Sequence, residues 1–286
     1  MANYKIITDS CADFTLQEYR DLDLSFVPLK LLYKGESVDS FTETADLKAF
    51  YDAIREGEMP TTSAVNPEGW ASVMEPILQE GKDILCLAFT SGLSTTYQSA
   101  VIAASELIEK YPQRRIHVVD TLCAAMGQGL LVWHACRKRD EGMDLDELTQ
   151  WCEENKLKIC HEVTVNDLYH LKRGGRVSAT TAAVGTMLSI KPMLHISDEG
   201  KLETVGKVRG RKTAMELLCK KFDANAIDRS MVFILHGDCP EEAEALSNML
   251  KEKYGAEKTR VGYLGGVIGA HTGPGVLAIF FMAEHR

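Results

Sequence analysis

The sequence predicts two α/β domains, one at residues 1–156 and one at residues 157–286. The chain has 286 residues, which is enough for two domains of ordinary size. In the first domain, short apolar runs alternate with helical patterns over short links, and this alternation indicates a parallel sheet covered by helices. In the second domain, two strand-like runs flank the turn Asp198-Glu199-Gly200, and a mixed sheet is expected there.

In the first domain, the predicted strands are residues 5–8, 24–33, 84–89 and 115–119. The predicted helices are residues 16–20, 46–55, 67–79, 95–111, 124–139 and 144–155. Asn66 followed by Pro67 marks one helix start, because Asn caps helices and Pro is favoured at the first helical position. The polar residues 59–65 before that start are predicted to form a loop bounded by proline.

In the second domain, the predicted strands are residues 158–165, 189–196, 202–208, 231–236, 259–264 and 276–282. The predicted helices are residues 168–172, a segment ending at residue 222, and residues 240–254. Residues 179–188 are small and apolar. The stretch 265–275 is rich in glycine and is predicted to be an irregular loop.

Composition and motifs exclude several classes of function. The net charge of −9 argues against nonspecific nucleic-acid binding. No apolar run approaches the roughly 18 residues of a membrane span, and residues 1–5 lack a signal-peptide pattern. The eight cysteines have no C-x-x-C pair, so we expect reduced thiols in a cytoplasmic protein and no metal site. A P-loop, a kinase signature and a G-x-S-x-G elbow are all missing.

The most informative stretch is residues 89–100, where a strand runs into a helix through a turn rich in hydroxyl groups. Thr90, Ser91, Ser94 and Thr95 surround Gly92 at this turn. A helix N-terminus offers free backbone N–H groups and a positive dipole end, so the turn could hold a carboxylate or a phosphate. The alternative is that Ser94 or Thr95 only caps the helix. A second hydroxyl loop lies at residues 60–63, and both loops are expected at the carboxyl-terminal rim of the parallel sheet.

Two further features are candidate functional elements. His271 lies in a loop framed by glycine and proline, where its ring could face a ligand, although a lone loop histidine is more often solvated. Two short basic clusters, residues 172–176 and 207–212, are either solvated turns or docking points for an acidic partner.

Six short motifs occur in a definite order along nearly the whole chain. They are Thr8-Asp9-Ser10, Pro60-Thr61-Thr62-Ser63, Ser91-Gly92-Leu93-Ser94 with Thr96-Tyr97-Gln98-Ser99-Ala100, Leu171-x-x-Gly174-Gly175-Arg176, Gly206-Lys207-x-Arg209 and His271-Thr272-Gly273-Pro274-Gly275. In order and spacing, these motifs resemble the DegV family, bacterial fatty-acid-binding proteins that include the FakB subunits of fatty acid kinase. The chain departs from the family pattern at Ala64 and Val65, where Gln and Pro are common, and at Thr95, where Gly is common. These departures flank the expected head-group site and bear on lipid preference.

The resemblance implies a buried acyl tunnel between the two domains. The carboxylate of a long-chain fatty acid would be held by Thr62, Ser94 and His271, with Thr61, Ser63, Ser91 and Thr272 beside them. Arginines would lie at the tunnel mouth or on the partner-docking surface: Arg173, Arg176, Arg209 and Arg211.

The resemblance also implies a role without catalytic residues, metal or cofactor in this chain. A separate kinase subunit would carry ATP and Mg²⁺ and would convert the bound acid to an acyl-phosphate. A downstream acyltransferase would then use that product for phospholipid synthesis. Such a cytoplasmic carrier would make transient membrane contact without stable insertion.

Two alternatives remain at this point. The chain could be a lipid-binding paralogue that serves no kinase. It could instead be an enzyme acting on a small carboxylated or phosphorylated metabolite at the hydroxyl rim, with Asp9 or His271 as general base. The sequence contains no recognisable catalytic set of a nucleophile, a base and a group that orients the base. The fatty acid carrier is therefore the favoured hypothesis.

Overall fold

The computed structural model describes residues 3–40, 43–177 and 189–286, so the small apolar stretch 179–188 lies outside the described residues. The strands are β1 Tyr4–Asp9, β2 Ser25–Val27, β3 Lys30–Tyr33, β4 Glu36–Asp39, β5 Thr61–Ser63, β6 Asp83–Ala88, β7 Ile116–Asp120, β8 Ile159–Thr164, β9 Ile190–Ile196, β10 Leu202–Arg209, β11 Val232–His236, β12 Thr259–Tyr263 and β13 Leu277–Met282. The helices are α1 Leu16–Asp21, α2 Thr44–Arg55, α3 Pro67–Gln79, α4 Thr96–Lys110, α5 Met126–Asp140, α6 Leu145–Asn155, α7 Tyr169–Arg173, α8 Arg211–Asn225, α9 Pro240–Tyr254 and α10 Gly266–Thr272. Short 3₁₀ turns lie at Ser10–Ala12 and Lys156–Lys158.

The predicted parallel sheet is confirmed. Its four strands follow the order β2-β1-β6-β7, and every pairing between them is parallel. All six residues of β6 are buried, as expected for a strand covered by helices on both faces. The apolar run that predicted this strand therefore reflects burial on two sides.

The second sheet is mixed, as predicted. Its order is β10-β9-β8-β13-β11-β12, in which only β11 and β12 pair in parallel. Strands β9 and β10 form the predicted hairpin, with Leu202 opposite Ile196. Strands of the first sheet all precede Asn155 and those of the second all follow it. One buried cluster nevertheless contains side chains of both parts, such as Ile6 and Phe280. The division into two domains at residue 156 stays a prediction.

A third sheet, with the order β4-β3-β5, corrects two predictions. The single predicted strand 24–33 is wrong, because the chain breaks at Pro28 into β2 and β3, which belong to different sheets. The loop predicted at 59–65 is also wrong in part, because Thr61–Ser63 is strand β5. Strand β5 forms because its backbone pairs with β3, and Thr62 lies opposite Leu31. A segment of only three residues, too short to be recognised by its own pattern, thus takes strand geometry from a partner.

The glycine-rich stretch 265–275 was expected to be irregular, and this expectation is wrong for helix α10. The helix forms because its glycines allow close packing against α2. A Cβ atom at Gly269 would lie 2.5 Å from the hydroxyl oxygen of Tyr51. Tyr51 also donates a hydrogen bond of 3.0 Å to the carbonyl of Leu264 just before the helix. Within this stretch, backbone angles that favour glycine occur in the turn after the helix, at Gly273 and Gly275, where φ is 72° and 82°.

The predicted helix starts agree with the structure in two cases. The Asn66 side chain accepts a hydrogen bond from the amide of Gly69, with Pro67 at the first helical position. Asp144 and Glu147 form a reciprocal capping box at the start of α6. Among the helices in the described ranges, none combines the length and the apolar character that crossing a membrane requires.

Candidate functional site

A cavity of about 480 Å³ lies between the first sheet and the six-stranded sheet. Its walls are mainly apolar and come from both parts of the chain, including Phe89 after β6, Val163 on β8, Leu235 on β11 and Phe280 on β13. Helix α10 closes one side with Val267. The volume falls within the range of roughly 300–1,000 Å³ that is usual for small-molecule sites. The cavity is therefore suited to a ligand with a large apolar part.

The lining of the cavity includes a hydrogen-bonded pair, Thr62 and His271. The Thr62 Oγ1 lies 2.8 Å from the Nε2 of His271. Thr62 is presented by β5 and His271 by the last turn of α10, which lie in contact. The structure thus places the first hydroxyl segment and the histidine at one point, although Thr62 comes from the small third sheet instead of the rim of the parallel sheet.

His271 is electrically neutral at pH 7. Burial lowers the pKa of its imidazole to about 4, and the positive charges of Arg176 and Arg173 act in the same direction. Its Nδ1 is buried and has no hydrogen-bond partner among the described residues. A proton on Nδ1 would leave a buried N–H donor unsatisfied, so the favoured tautomer carries its proton on Nε2. The Nε2–H then donates to the Thr62 oxygen, and the Thr62 hydroxyl proton is free for a ligand.

Ser94 lies at the same cavity, in the turn between β6 and α4. Its Oγ accepts a hydrogen bond of 3.2 Å from the backbone amide of Thr96 and lies 2.9 Å from the Thr96 hydroxyl oxygen. Thr95 holds the N-cap position of α4 but makes no side-chain capping bond. Ser94 therefore both supports the start of α4 and lines the cavity. Helix capping and ligand binding, the two interpretations of this turn, are thus compatible.

The other predicted head-group residues divide between cavity and surface. Ser63, Ser91 and Thr272 line the cavity. The Thr272 hydroxyl donates to the carbonyl of Ile268 at 3.2 Å, which occupies its proton. Thr61 is exposed and is not among the residues lining the cavity. Its predicted place beside the carboxylate is therefore not supported by this geometry.

Of the residues where the chain departs from the family pattern, Ala64 and Thr95 line the cavity and Val65 is buried.

The four predicted arginines occupy different positions. Arg176 lines the cavity and also a second, more polar cavity beside it. Arg173 donates hydrogen bonds to the carbonyl of Ala270 at 3.1 Å and, at 3.5 Å, to that of Pro60.

Through these two hydrogen bonds, Arg173 connects the chain segments that carry His271 and Thr62. Arg209 is exposed on β10, at the edge of the six-stranded sheet. Arg211 is paired with Glu242 at 2.7 Å.

Among the polar lining residues, sequence reasoning did not assign two to the site, Gln98 and His161. Both ring nitrogens of His161 have hydrogen-bond partners in the cavity wall. The Nε2 accepts a hydrogen bond of 3.1 Å from the amide of Ala124, and the Nδ1 lies 2.9 Å from the carbonyl oxygen of Ile159. Burial lowers its pKa to about 3, so the ring is neutral. The alternation of His161 and Val163 along β8, continued by Val165 just after the strand, could have placed His161 on the cavity face. For Gln98 the available signal is its place in the motif 96–100.

Asp9, the other base considered for an enzyme, does not line the cavity. Its carboxylate is fully buried and accepts hydrogen bonds from the amides of Phe89 at 2.7 Å and Cys11 at 3.0 Å. Burial raises its pKa to about 6, against the lowering effect of these bonds. Asp9 therefore fixes the end of β1 against the hydroxyl turn.

The chemistry of the cavity is that of a binding site for an acid. Over the described ranges, its lining residues include no Asp, Glu, Lys or Cys, and the ionisable ones are His161, Arg176 and His271. Within those ranges, no three side chains of His, Cys, Asp or Glu cluster in a way that could hold a metal ion. The hydroxyl groups of Thr62 and Ser94 and the guanidinium of Arg176 in the lining suit a carboxylate, and the apolar walls suit a hydrocarbon chain.

Comparison with known proteins gives a consistent picture over the whole chain. Residues 3–284 match the model of the DegV family, described as an uncharacterised protein family. A DegV domain-containing protein of Clostridium perfringens is 44% identical over 289 residues, covering 100% of this chain and 99% of the relative.

Two solved structures are similar to this fold. A DegV lipid-binding protein of Thermotoga maritima is 30% identical, with a TM-score of 0.87 and 100% coverage of both chains. A DegV family protein of Thermus thermophilus, described as binding fatty acid, is 32% identical with a TM-score of 0.87, covering 98% of this chain and 99% of the other. Sequence and fold together show that the chain belongs to the DegV family.

Proposed function

We propose that this protein binds a long-chain fatty acid in the cavity and presents its carboxylate to a separate ATP-dependent kinase subunit, which forms an acyl-phosphate. The observation that carries the binding proposal is the cavity itself, with mainly apolar walls and the Thr62–His271 pair in its lining. The solved DegV proteins of Thermotoga maritima and Thermus thermophilus, described as binding lipid and fatty acid, support it.

The hydrocarbon chain would provide most of the binding free energy. Burial of each methylene group contributes about 0.8 kcal/mol, so a long chain gains far more in the cavity than a small metabolite can. Ordering the flexible chain and losing its free motion oppose this gain. Affinity should therefore rise steeply with chain length until the cavity is filled.

The carboxylate would be held by hydroxyl groups that are themselves supported from behind. Thr62 receives the Nε2–H of His271, and Ser94 receives the amide N–H of Thr96. The Thr62 hydroxyl is thereby free to donate its own proton to a carboxylate oxygen. The Ser94 hydroxyl is free to do the same when the Thr96 hydroxyl, 2.9 Å away, donates to it, and the supporting bonds strengthen that donation. Arg176 adds a positive charge in the same wall. A carboxylate bound mainly by neutral donors keeps enough electron density to act as a nucleophile.

In the kinase step, a carboxylate oxygen of the bound acid attacks the γ-phosphorus of ATP held by the partner, and ADP leaves. This chain would supply the oriented acid and no catalytic group, which agrees with the absence of an ATP-binding motif in its sequence. Arg209, exposed on the edge strand β10, is the proposed contact for an acidic surface of the kinase. This role would place the protein in the cytoplasm, ahead of an acyltransferase.

The first experiment is mass spectrometry of lipid extracted from the natively purified protein, followed by uptake of added palmitate or oleate. A stoichiometric fatty acid supports the proposal, and a protein that is empty and takes up neither acid refutes it. Thr62→Val removes the hydroxyl at nearly constant volume and should weaken binding. Thr61→Val is the matched control, because Thr61 is the exposed neighbour outside the cavity lining.

The kinase role needs its own test, because a lipid-binding paralogue without a kinase would pass the first one. Arg209→Glu should retain fatty acid binding and lose acyl-phosphate formation with the catalytic subunit of the same organism. Lys253→Glu, an exposed charge reversal on α9, is the control. Equal acyl-phosphate formation by both variants would remove Arg209 from the docking surface. No acyl-phosphate with the parent would favour the paralogue.

A further inference from the structure

Helices α7 and α10 meet through two reciprocal contacts between a histidine and a glycine. His170 on α7 lies against Gly273, and a Cβ atom there would come within 2.3 Å of the His170 Cδ2. His271 on α10 lies against Gly174, where a Cβ atom would come within 2.3 Å of the His271 Nδ1. Each helix thus supplies one ring and one glycine, and both glycines directly follow their helix. We call these four residues the His–Gly interlock.

The interlock determines which edge of His271 faces the ligand site. The Nδ1 edge lies against the bare backbone of Gly174, is buried, and has no partner among the described residues. The Nε2 edge is thereby directed to Thr62, 2.8 Å away. A ring rotated about its Cβ–Cγ bond would lose this bond and leave the Nδ1 edge without its present packing.

We propose that Gly174 and His170 are positioning residues for the head-group site: Gly174 fixes the ring of His271, and His170 fixes the end of α10 that carries it. Through this arrangement His271 donates its Nε2–H to Thr62, and Thr62 becomes the hydroxyl donor to the carboxylate. The predicted effect of these residues on fatty acid affinity rests on the proposed function. Its effect on the His271 ring does not need a ligand.

The geometry makes a side chain at Gly174 incompatible with the present ring position. Contacts of a real Cβ atom below 3.0 Å are essentially never seen, so Gly174→Ala must move the ring by a large part of an ångström. The Nδ1 and Nε2 atoms face opposite sides of the ring, so a ring pushed away from Gly174 is driven towards Thr62. It must turn to avoid a clash, and turning breaks the 2.8 Å bond between Nε2 and the Thr62 Oγ1. Thr62 would then lose the donor that directs its own proton to the ligand.

The test combines nitrogen NMR of the histidine rings with fatty acid affinity. Protein with ¹⁵N-labelled histidine, stripped of lipid, reports the tautomer of each ring, and His271→Gln identifies the His271 signals. In the parent protein we expect His271 as the Nε2–H tautomer at pH 7. In Gly174→Ala we expect altered His271 signals and an increase of about tenfold in the dissociation constant for oleate. Gly206→Ala is the control, because Gly206 has open space around it and no positive φ.

A second pair of variants keeps the proposal falsifiable if Gly174→Ala does not fold. His170→Phe retains a planar ring against Gly273 and should keep the parent signals and affinity, whereas His170→Ala should alter both. A folded Gly174→Ala or His170→Ala protein with the parent's His271 signals and affinity would overturn the proposal. A parent protein that binds no fatty acid would refute the proposed function alone, since the ring signals of the lipid-free protein still report on the interlock.

Discussion

The hydroxyl of Thr62 and the Nε2 of His271 lie 2.8 Å apart, although 209 positions separate them in the chain. One belongs to a three-residue strand and the other to a seven-residue helix, and neither element is stable by itself. The pair exists because β3 holds the strand and α2 holds the helix. The head-group end of the cavity is therefore built by long-range packing.

The pair should act as one unit in ligand binding. Thr62→Val removes a hydroxyl that donates to a charged group, so we expect fatty acid affinity to fall by roughly tenfold to a hundredfold. His271→Ala should cost a similar amount, because Thr62 loses its supporting donor. The double variant should lose much less than the product of the two single effects. Calorimetric titration with oleate measures all four affinities, and fully multiplicative effects would show that the two residues act separately.

His271 should also contribute to the pH dependence of stability. Its pKa is about 4 in the folded protein against 6.5 for an unperturbed histidine, so the unfolded chain binds more protons between these two pH values. The contribution is complete above pH 6.5 and is lost as the pH falls towards 4, amounting to at most about 3 kcal/mol.

The measurement is the free energy of unfolding in urea across this pH range. His134, His161 and His236 have lowered pKa values as well, so the parent curve alone cannot isolate His271. The parent and His271→Gln should differ in slope between pH 6.5 and 4, with the variant less sensitive to acid. Parallel curves would contradict a neutral, buried His271.

Prediction from sequence worked best where local patterns and burial agree. The buried run of β6 and the capped starts of α3 and α6 were predictable, because apolar periodicity and capping chemistry act over a few residues. Strand β5 and helix α10 were not, because their backbone is held by distant partners. Arg173 shows the same limit: it is predicted at the tunnel mouth or the docking surface, and no local pattern indicates its hydrogen bonds to the carbonyls of Pro60 and Ala270.

Tyr51 should be important for docking α10. It is fully buried, and its hydroxyl donates to the carbonyl of Leu264 at 3.0 Å. Tyr51→Phe would leave that carbonyl without this donor, so we expect a loss of about 1–3 kcal/mol in the free energy of unfolding. Tyr111→Phe is a useful control, because the Tyr111 hydroxyl lies on a less buried part of the molecule and bonds to Glu75. A destabilisation of Tyr51→Phe no larger than that of the control would show that this bond does not secure the helix.

Arg260 and Glu18 should stabilise the contact between the two parts of the chain more than an ordinary surface ion pair does. The Arg260 Nε and one terminal nitrogen each lie 2.6 Å from a Glu18 oxygen, and the side chains are 15% and 32% exposed. Bidentate geometry and partial burial both strengthen such a pair, and Arg260 lowers the pKa of the Glu18 carboxyl against the opposing effect of burial.

A double-mutant cycle with Arg260→Gln and Glu18→Gln should therefore give a coupling free energy of about 1–2 kcal/mol in unfolding experiments. The same cycle on Arg115 and Asp146, which are 54% and 63% exposed, should give at most about 0.5 kcal/mol. Since Arg260 lies on β12 and Glu18 on α1, a strong coupling would show that the two parts unfold together. Equal coupling at both sites would mean that solvent screens the Arg260–Glu18 pair as fully as the exposed one.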